Sequence, residues 1–478
     1  MLLVPLVLSA FLHLWNPAGF PDFFYDEGVY MRRALNVVQG LGPQEGTYYD
    51  HPYFGQLFLA GILQVSGYPA LLGTDAPMEA LYMAPRLLMG ALAVFDTLMV
   101  FKIAEKRYNN KVALIAALIF AVMPMTWLLR RILLDSLLLP FLLSSILVAL
   151  HAKDSKHPAL LALASGALLG LAIFTKVPVF TMLPLVGFVI ASPAKGLDRR
   201  LKMLALFLAP AVLLPMIWPL YSVSVGEFDR WTHYVLWQTQ RQSGGISAIV
   251  QDFVRIDPVL LVIGAAGIAY SIWRRNVFVV LWAVPFALFL ALIGYVQYFH
   301  WISLLPVFSI AAARLLSDAF ARLGGRAGKA IPFSIVGAIV AFGTVSTALL
   351  VATNMTSAQS AALAHASDYL AKNGNGHEIT TLSPPAYSWI LRDVYGHENV
   401  ADDHRTALFR PIRTDSVLLV VDSHFVIDAD RGPKLQELLD RSRAVATFEG
   451  QISSYDASKY PFGSMIFNGE GRKIEIRD

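Results

Sequence analysis

An acidic pair and an acid–histidine pair stand near the start of the sequence. Asp26 and Glu27 lie in "YDEGVYMRRALNVV", and Asp50 adjoins His51 in "YYDHPYFGQL". Further along come Arg130 and Asp135 in "RRILLDSLLLPF", Lys176 in "AIFTKVPVF" and His300 in "VQYFHWISLLPVF". Each has an ordinary structural reading. Asp26 and Glu27 suit a helix N-terminus, where negative charge is favoured. Asp135 could pair with Arg130 or Arg131. Lys176 could snorkel to an interface, and His300 precedes Trp301, an ordinary interface anchor. Asp96 sits deep inside an apolar run, where a buried hydrogen-bond partner is the plain reading. Taken together, the set suits one chemistry. A carboxylate can take a proton from a hydroxyl group. Arginine and lysine can hold a departing phosphate, which leaves with its charge already stabilised. That is the equipment for group transfer from a lipid phosphate, with a polyisoprenoid tail lying between apolar helices.

These residues must be positioned by elements that live in lipid. Of the 478 residues, 56% are hydrophobic and 15% charged, against about 25% charged in an ordinary soluble chain. A helix needs roughly 20 mostly apolar residues to cross hydrocarbon. About eleven segments approach that rule, at 2–15, 86–104, 111–127, 133–150, 158–174, 178–192, 202–221, 259–273, 277–296, 301–316 and 331–353. The first lacks a basic leader and a small-residue cleavage site, so it reads as a span rather than a signal peptide. Alternate loops carry the cations: Lys102, Lys106, Arg107 and Lys111, then Lys153 and Lys156, then Lys195, Arg199, Arg200 and Lys202. Arg274 with Arg275 and the group Arg314, Arg322, Arg326 and Lys329 continue the series. Cations stay on the cytoplasmic side. This expectation puts the N-terminus inside and the stretch 16–85, the loop 223–258 and the tail 355–478 outside. Every candidate residue then falls on the outer face.

The net charge of +4 hides a segregation, since half of the 34 acids follow Met355. The basic excess reads as membrane orientation and not as nucleic-acid binding. There are no cysteines, which excludes disulfides, thiolate metal sites and a cysteine nucleophile. The tail predicts a small α/β domain. "SAALAHASDYLAKNGNG" has helical spacing and Asn/Gly stop signals. "SVLLVVDSHFVI" is a buried-strand run, "GPKLQELLDRSR" a short helix, and "AVATFEG" a further strand. The expected division is 1–354 for the membrane part, with interfacial helices in 16–85, and 355–478 for the soluble part. No internal repeat stands out.

The chain resembles the protein O-mannosyltransferase superfamily of GT-C glycosyltransferases, which includes bacterial enzymes that glycosylate lipid A. That family carries an Asp-Glu pair in its first outer loop, matched by "YDEGVY". An Asp-x-His-Pro-Pro-like segment follows, matched by "YYDHPYFGQL" with Tyr53 at the second proline. "RRILLDSLLLPF" matches an Arg-x-Ile-Leu-Leu-Asp pattern, "TK" at Thr175-Lys176 matches a later one, and "YFHWISLLPVF" matches a His segment leading to Leu-Pro. The large β-trefoil insertion of the eukaryotic enzymes has no room in 223–258. The resemblance implies a polytopic α-helical GT-C fold with a small C-terminal extracytoplasmic α/β domain. It implies transfer of a sugar from a polyprenyl-phosphate donor to a protein, lipid or glycan hydroxyl, with inversion in a single displacement. Asp26 would be the base and Glu27 its support. Arg130, Lys176 and His300 would bind donor phosphate, while Asp50, His51 and Asp135 would shape the pocket. Some relatives bind a divalent metal here, for which Asp26, Glu27, Asp50 and His51 are the possible ligands. A membrane transporter or flippase is the alternative, since it also uses intramembrane charges, and a non-catalytic scaffold is a third. The lack of paired repeats and the crowding of charge at one face favour the transferase.

Overall fold

The computed structural model describes residues 2–43, 49–242, 244–322, 327–373, 379–409, 416–426, 432–450 and 471–478. The chain opens with α1 (Leu3–Leu14), α2 (Tyr25–Val38), α3 (Phe54–Val65) and the long α4 (Met78–Arg107). Then come α5 (Asn110–Val122), a 3-10 stretch Pro124–Arg130, α6 (Leu134–Ala152), α7 (Pro158–Thr175), a 3-10 stretch Val177–Met182 and α8 (Leu183–Ala191). Next are α9 (Leu197–Leu213), α10 (Ile217–Ser224), α11 (Phe228–Gln240), α12 (Gly245–Ile256), α13 (Pro258–Trp273) and α14 (Val277–Leu292). A 3-10 stretch Tyr298–Leu304 leads into α15 (Leu305–Phe320), and α16 (Ala327–Val351) follows.

Each of the eleven apolar segments falls on a helix or a bent helix pair. Fewer meet the length rule. Among the described residues five helices are long and apolar enough to cross a membrane, or up to eight if each bent pair is one span. The shortfall comes from breaks the hydropathy does not show. Pro124 ends α5 and turns the chain by 69°, and the α12–α13 pair bends by 118°. At that second bend Asp257 caps α13, accepting from the Leu260 N–H at 2.9 Å, and its other oxygen accepts from the Met125 N–H at 3.1 Å. Packing between helices uses small residues, as membrane helices do. Gly166 and Gly170 of α7 face the α9 backbone so closely that a Cβ at Gly166 would lie 2.0 Å from the Phe207 carbonyl oxygen.

The helices have two distinct ends. At one, Lys106 pairs with Asp154 at 2.7 Å and Asn276 donates to the Tyr108 hydroxyl at 2.6 Å. Asp135 opens α6 roughly 28 Å away, at 1.5 Å per helical residue. The candidate residues gather at that far end.

After α16 come α17 (Ser357–Asn373), β1 (Ile379–Leu382), α18 (Pro385–Trp389), α19 (Thr406–Phe409), β2 (Ser416–Asp422), α20 (Pro433–Arg441), β3 (Ala444–Glu449) and β4 (Lys473–Arg477). The sheet order is β1-β2-β4-β3, with β1 parallel to β2 and both other pairs antiparallel. The sequence pattern points to α17, β2, α20 and β3; β1 and β4 are short additions. One hydrophobic core runs without interruption from α1 through the helices into α17, α18, β2 and β4.

This C-terminal segment docks on α2. The Gln359 side chain bonds both polar groups of the Phe23 backbone, at 2.8 and 2.9 Å. Gly28 of α2 lies against the start of α18, and a Cβ there would sit 2.1 Å from the Pro385 carbonyl oxygen. Neither backbone can yield cheaply. The Gly28→Ala protein should therefore lose about 1–3 kcal/mol by overpacking, read as a lower melting temperature in detergent.

Candidate active site

Lys176 ends α7 and Asp135 begins α6, so the contact between these two helices brings them together. Their side chains pair at 2.6 Å and both are buried. The Phe299 ring centroid lies 5.2 Å from the ammonium. His300 follows in the 3-10 stretch, with its Nδ1 accepting from the Gln297 N–H at 3.1 Å. Asp135, Lys176, His300, Tyr295 and Ser303 supply the polar lining of a small cleft of about 30 Å³. The rest of its lining is apolar: Leu138 of α6, Pro178 and Val179 after α7, and Phe286, Phe289, Leu290 and Ile293 of the α14 region.

Asp26 stands on the first turn of α2, near Lys176. It is half-buried, and among the described residues its carboxyl has no hydrogen-bond or ion-pair partner. Burial pushes its pKa up to about 6, against the opposing pull of Lys176 and Arg241, with Asp135 and Asp50 adding to the rise. A carboxyl with that pKa is ionised at neutral pH and still basic enough to accept a proton. Asp50 pairs with Arg33 of α2 at 2.8 Å. Burial opposes its charge, yet Arg33 and His51 hold it below the usual carboxylate range. His51 is pushed down to about 3 by burial, with Lys176, Arg33 and Arg241 adding to the effect and Asp50 opposing it. It is a neutral imidazole at working pH.

Six of the eight expected residues thus come together: Asp26, Asp50, His51, Asp135, Lys176 and His300. Glu27 and Arg130 do not join them. Glu27 is fully buried and accepts from the Arg86 Nη2 at 2.8 Å, the Arg131 Nη1 at 3.3 Å, the Ile132 N–H at 3.1 Å and the Phe24 N–H at 3.0 Å. The last bond is a helix cap, so the plain structural reading of the acidic pair applies to Glu27. Arg130 donates to the carbonyls of Leu12, Trp15 and Asn16 at 3.1, 2.5 and 3.0 Å. Its donors close the end of α1 instead of facing the cleft. The neighbouring Arg131 takes Asp22 at 2.7 Å together with Glu27, so neither arginine pairs with Asp135.

Arg241 is the functional candidate that sequence reasoning missed. It follows α11 in the loop 223–258, stacked over the Tyr295 ring at 3.5 Å and over Trp237 at 4.9 Å. Its charge acts on Asp26, His51 and Tyr295. A cation in a loop assigned to the outer face was the available signal, since cations there run against the orientation rule.

The donor set does not fit a metal ion. Among the described residues no three His, Asp or Glu side chains meet in a group that could hold one. Glu27 is committed to two arginines and Asp50 to Arg33.

Residues 50–218 match the family model described as dolichyl-phosphate-mannose-protein mannosyltransferase. No curated protein sequence matches the chain. Among solved structures, ArnT from Cupriavidus metallidurans bound to undecaprenyl phosphate is similar with a TM-score of 0.59 at 14% identity, covering 99% of this chain and 97% of that one. The archaeal oligosaccharyltransferase AglB from Archaeoglobus fulgidus, in complex with an inhibitory peptide and a dolichol-phosphate, is similar with a TM-score of 0.54 at 14% identity. That match covers 82% of this chain and 63% of the AglB chain, so the chain spans under two thirds of that relative's length. The fold is similar to that of these two structures, and the family match is confined to residues 50–218.

The electrostatics have a testable sign. A reaction that uses Asp26 as proton acceptor has its full rate above its pKa and loses it as pH falls through about 6. Lys176 lowers that pKa, so the Lys176→Ala protein should show the acid limb of its pH–rate profile at higher pH than the parent.

Proposed function

We propose that the chain is an integral-membrane inverting glycosyltransferase. It moves a sugar from a polyprenyl-phosphate-linked donor to an acceptor hydroxyl on the extracytoplasmic face. The observation that carries this reading is the mixed lining of the cleft. Cationic and hydrogen-bonding side chains meet apolar ones there, and a carboxylate without a hydrogen-bond or ion-pair partner among the described residues stands near Lys176. A phosphate joined to an isoprenoid calls for both kinds of lining. The ArnT structure holds undecaprenyl phosphate and the AglB structure a dolichol-phosphate, which supports the same class of donor here.

In this reading the isoprenoid lies along Val179, Phe286, Phe289 and Ile293. Its phosphate meets Lys176, with His300 and Tyr295 beside it and Arg241 near the mouth. Asp135 holds the ammonium in place. Asp26 takes the proton of the acceptor hydroxyl as that oxygen bonds to the anomeric carbon. The bond from that carbon to the phosphate oxygen breaks on the opposite side, and the electron pair leaves with the polyprenyl phosphate. Arg241 stabilises the added charge where it develops, while Lys176 holds the phosphate already present in the bound donor. A single displacement inverts the anomeric centre. Glu27 contributes by fixing the turn that carries Asp26, and Arg130 by fixing the chain that leads into it. Asp50 and His51 form the wall beside Asp26. Residues 1–354 form the membrane part, and 355–478 the extracytoplasmic segment that covers α2.

Purified protein given a radiolabelled polyprenyl-phosphate sugar should release the sugar to an acceptor or to water. Absence of any release across donor sugars would sink the reading in favour of a transporter. Asp26→Asn keeps the shape and removes the base. It should leave donor binding intact and slow turnover by roughly 10²–10⁴-fold, whereas a helix-cap role alone predicts near-normal turnover because Asn caps as well as Asp. Lys176→Ala should raise the donor KM more than it lowers kcat, because a phosphate contact already present in the bound donor is ground-state binding.

A further inference from the structure

We propose that Arg472, which directly precedes β4, is a positioning residue for Asp26. The proposal rests on Asp26 being the base and adds a residue from the C-terminal segment to its support.

The geometry begins at Asp22, four residues before Asp26. The two carboxylate oxygens of Asp22 are divided between two arginines. Its Oδ1 takes the Arg131 Nη2 at 2.7 Å, and its Oδ2 takes the Arg472 Nη1 at 2.5 Å. The rest of the Arg472 fork takes Asp422, at the end of β2, with the Nε donating at 2.9 Å and the Nη2 paired at 2.8 Å. Asp422 is fixed in turn by the Tyr387 hydroxyl at 2.5 Å. Arg131 continues the chain to Glu27, which it shares with Arg86. The result is a continuous ladder of three carboxylates and three guanidinium groups, all essentially buried. Its charges balance when Arg472 is present and leave an excess carboxylate when it is absent.

This ladder lies under the start of α2. Asp22 and Glu27 bracket the segment that places Asp26, and the Arg86 Nη1 also holds the Pro21 carbonyl at 2.6 Å. A planar guanidinium binding two acids from two elements fixes a distance and an angle that a point charge does not. Arg472 therefore ties the segment 22–26 to the edge of β2. Its contacts lie away from the cleft, on no residue that lines it. Loss of the tie should act on the base and leave donor binding alone.

The test is the double variant Arg472→Leu/Asp422→Asn, which removes one charge of each sign and so spares the fold an unpaired buried ion. Its kcat per folded protein should fall by roughly 10²-fold, the scale of a 1 Å misplacement, with donor KM near the parent value. Arg472→Lys should recover only part of the loss, because an ammonium can reach Asp22 but cannot hold both acids in the fixed geometry of the fork. Thermal unfolding in detergent is measured on both. A lower melting temperature with unchanged kcat per folded protein overturns the proposal, since Arg472 is then structural only. A raised donor KM with proportionate loss of kcat/KM also overturns it. Asp26→Asn is assayed alongside. If Asp26→Asn is near normal, the base assignment fails; if it is inactive while the Arg472 variants are normal, only this inference fails.

Discussion

The structure depends on the partners of one fully buried carboxyl group, that of Glu27. A buried carboxylate is tolerable only when every lone pair is answered. Arg86 reaches it from α4, Arg131 from the turn before α6, and two backbone N–H groups complete the set. Those contacts fix the crossing of α2 over the helix ends. They also decide which face of α2 turns toward the cleft. Asp26 is adjacent in sequence but lies on another side of the helix, where it meets no partner. Two neighbouring acids thus have opposite fates, one saturated and one left available.

That division separates support from chemistry across the site. The cations are sorted in the same way. Arg86, Arg130, Arg131 and Arg472 are spent on carbonyls and carboxylates inside the fold. Lys176 and Arg241 remain beside the cleft, each near an aromatic ring. Arginine suits the first task because its fork satisfies several acceptors at once. An ammonium held by one acid, as Lys176 is by Asp135, keeps donors for a ligand.

Much of this was legible in the sequence. Hydropathy located every long helix, since apolar runs of that length have few other uses. The tail's periodicity located α17, β2, α20 and β3. Six of the residues that the fold brings together could be named because charge is rare at the ends of apolar runs. The sequence was silent where partners come from distant segments. Nothing local tells Arg130 from Arg131 as a carbonyl clamp or a carboxylate partner, and nothing tells Asp26 from Glu27. The pairing of Asp22 with Arg472 spans 450 positions, far beyond any local pattern. The bends at Pro124 and Asp257 were hidden because hydropathy reads length and not direction. Part of the expected outer stretch, 44–48, the Asn/Gly stop signals at 374–376 and the last position, 427, of the expected strand run lie outside the described residues.

The long reach of that last pairing also sets an order of events. A ribosome adds roughly 5–20 residues per second, so Arg472 is made roughly 20–90 s after Asp22. By then the helices between them have been synthesised and can have entered the bilayer. The segment that carries Asp26 therefore spends its early life with one arginine of its ladder missing. Its final shape waits for β4 to join the sheet. A chain stalled before Arg472 would hold Asp22 by one arginine in place of two.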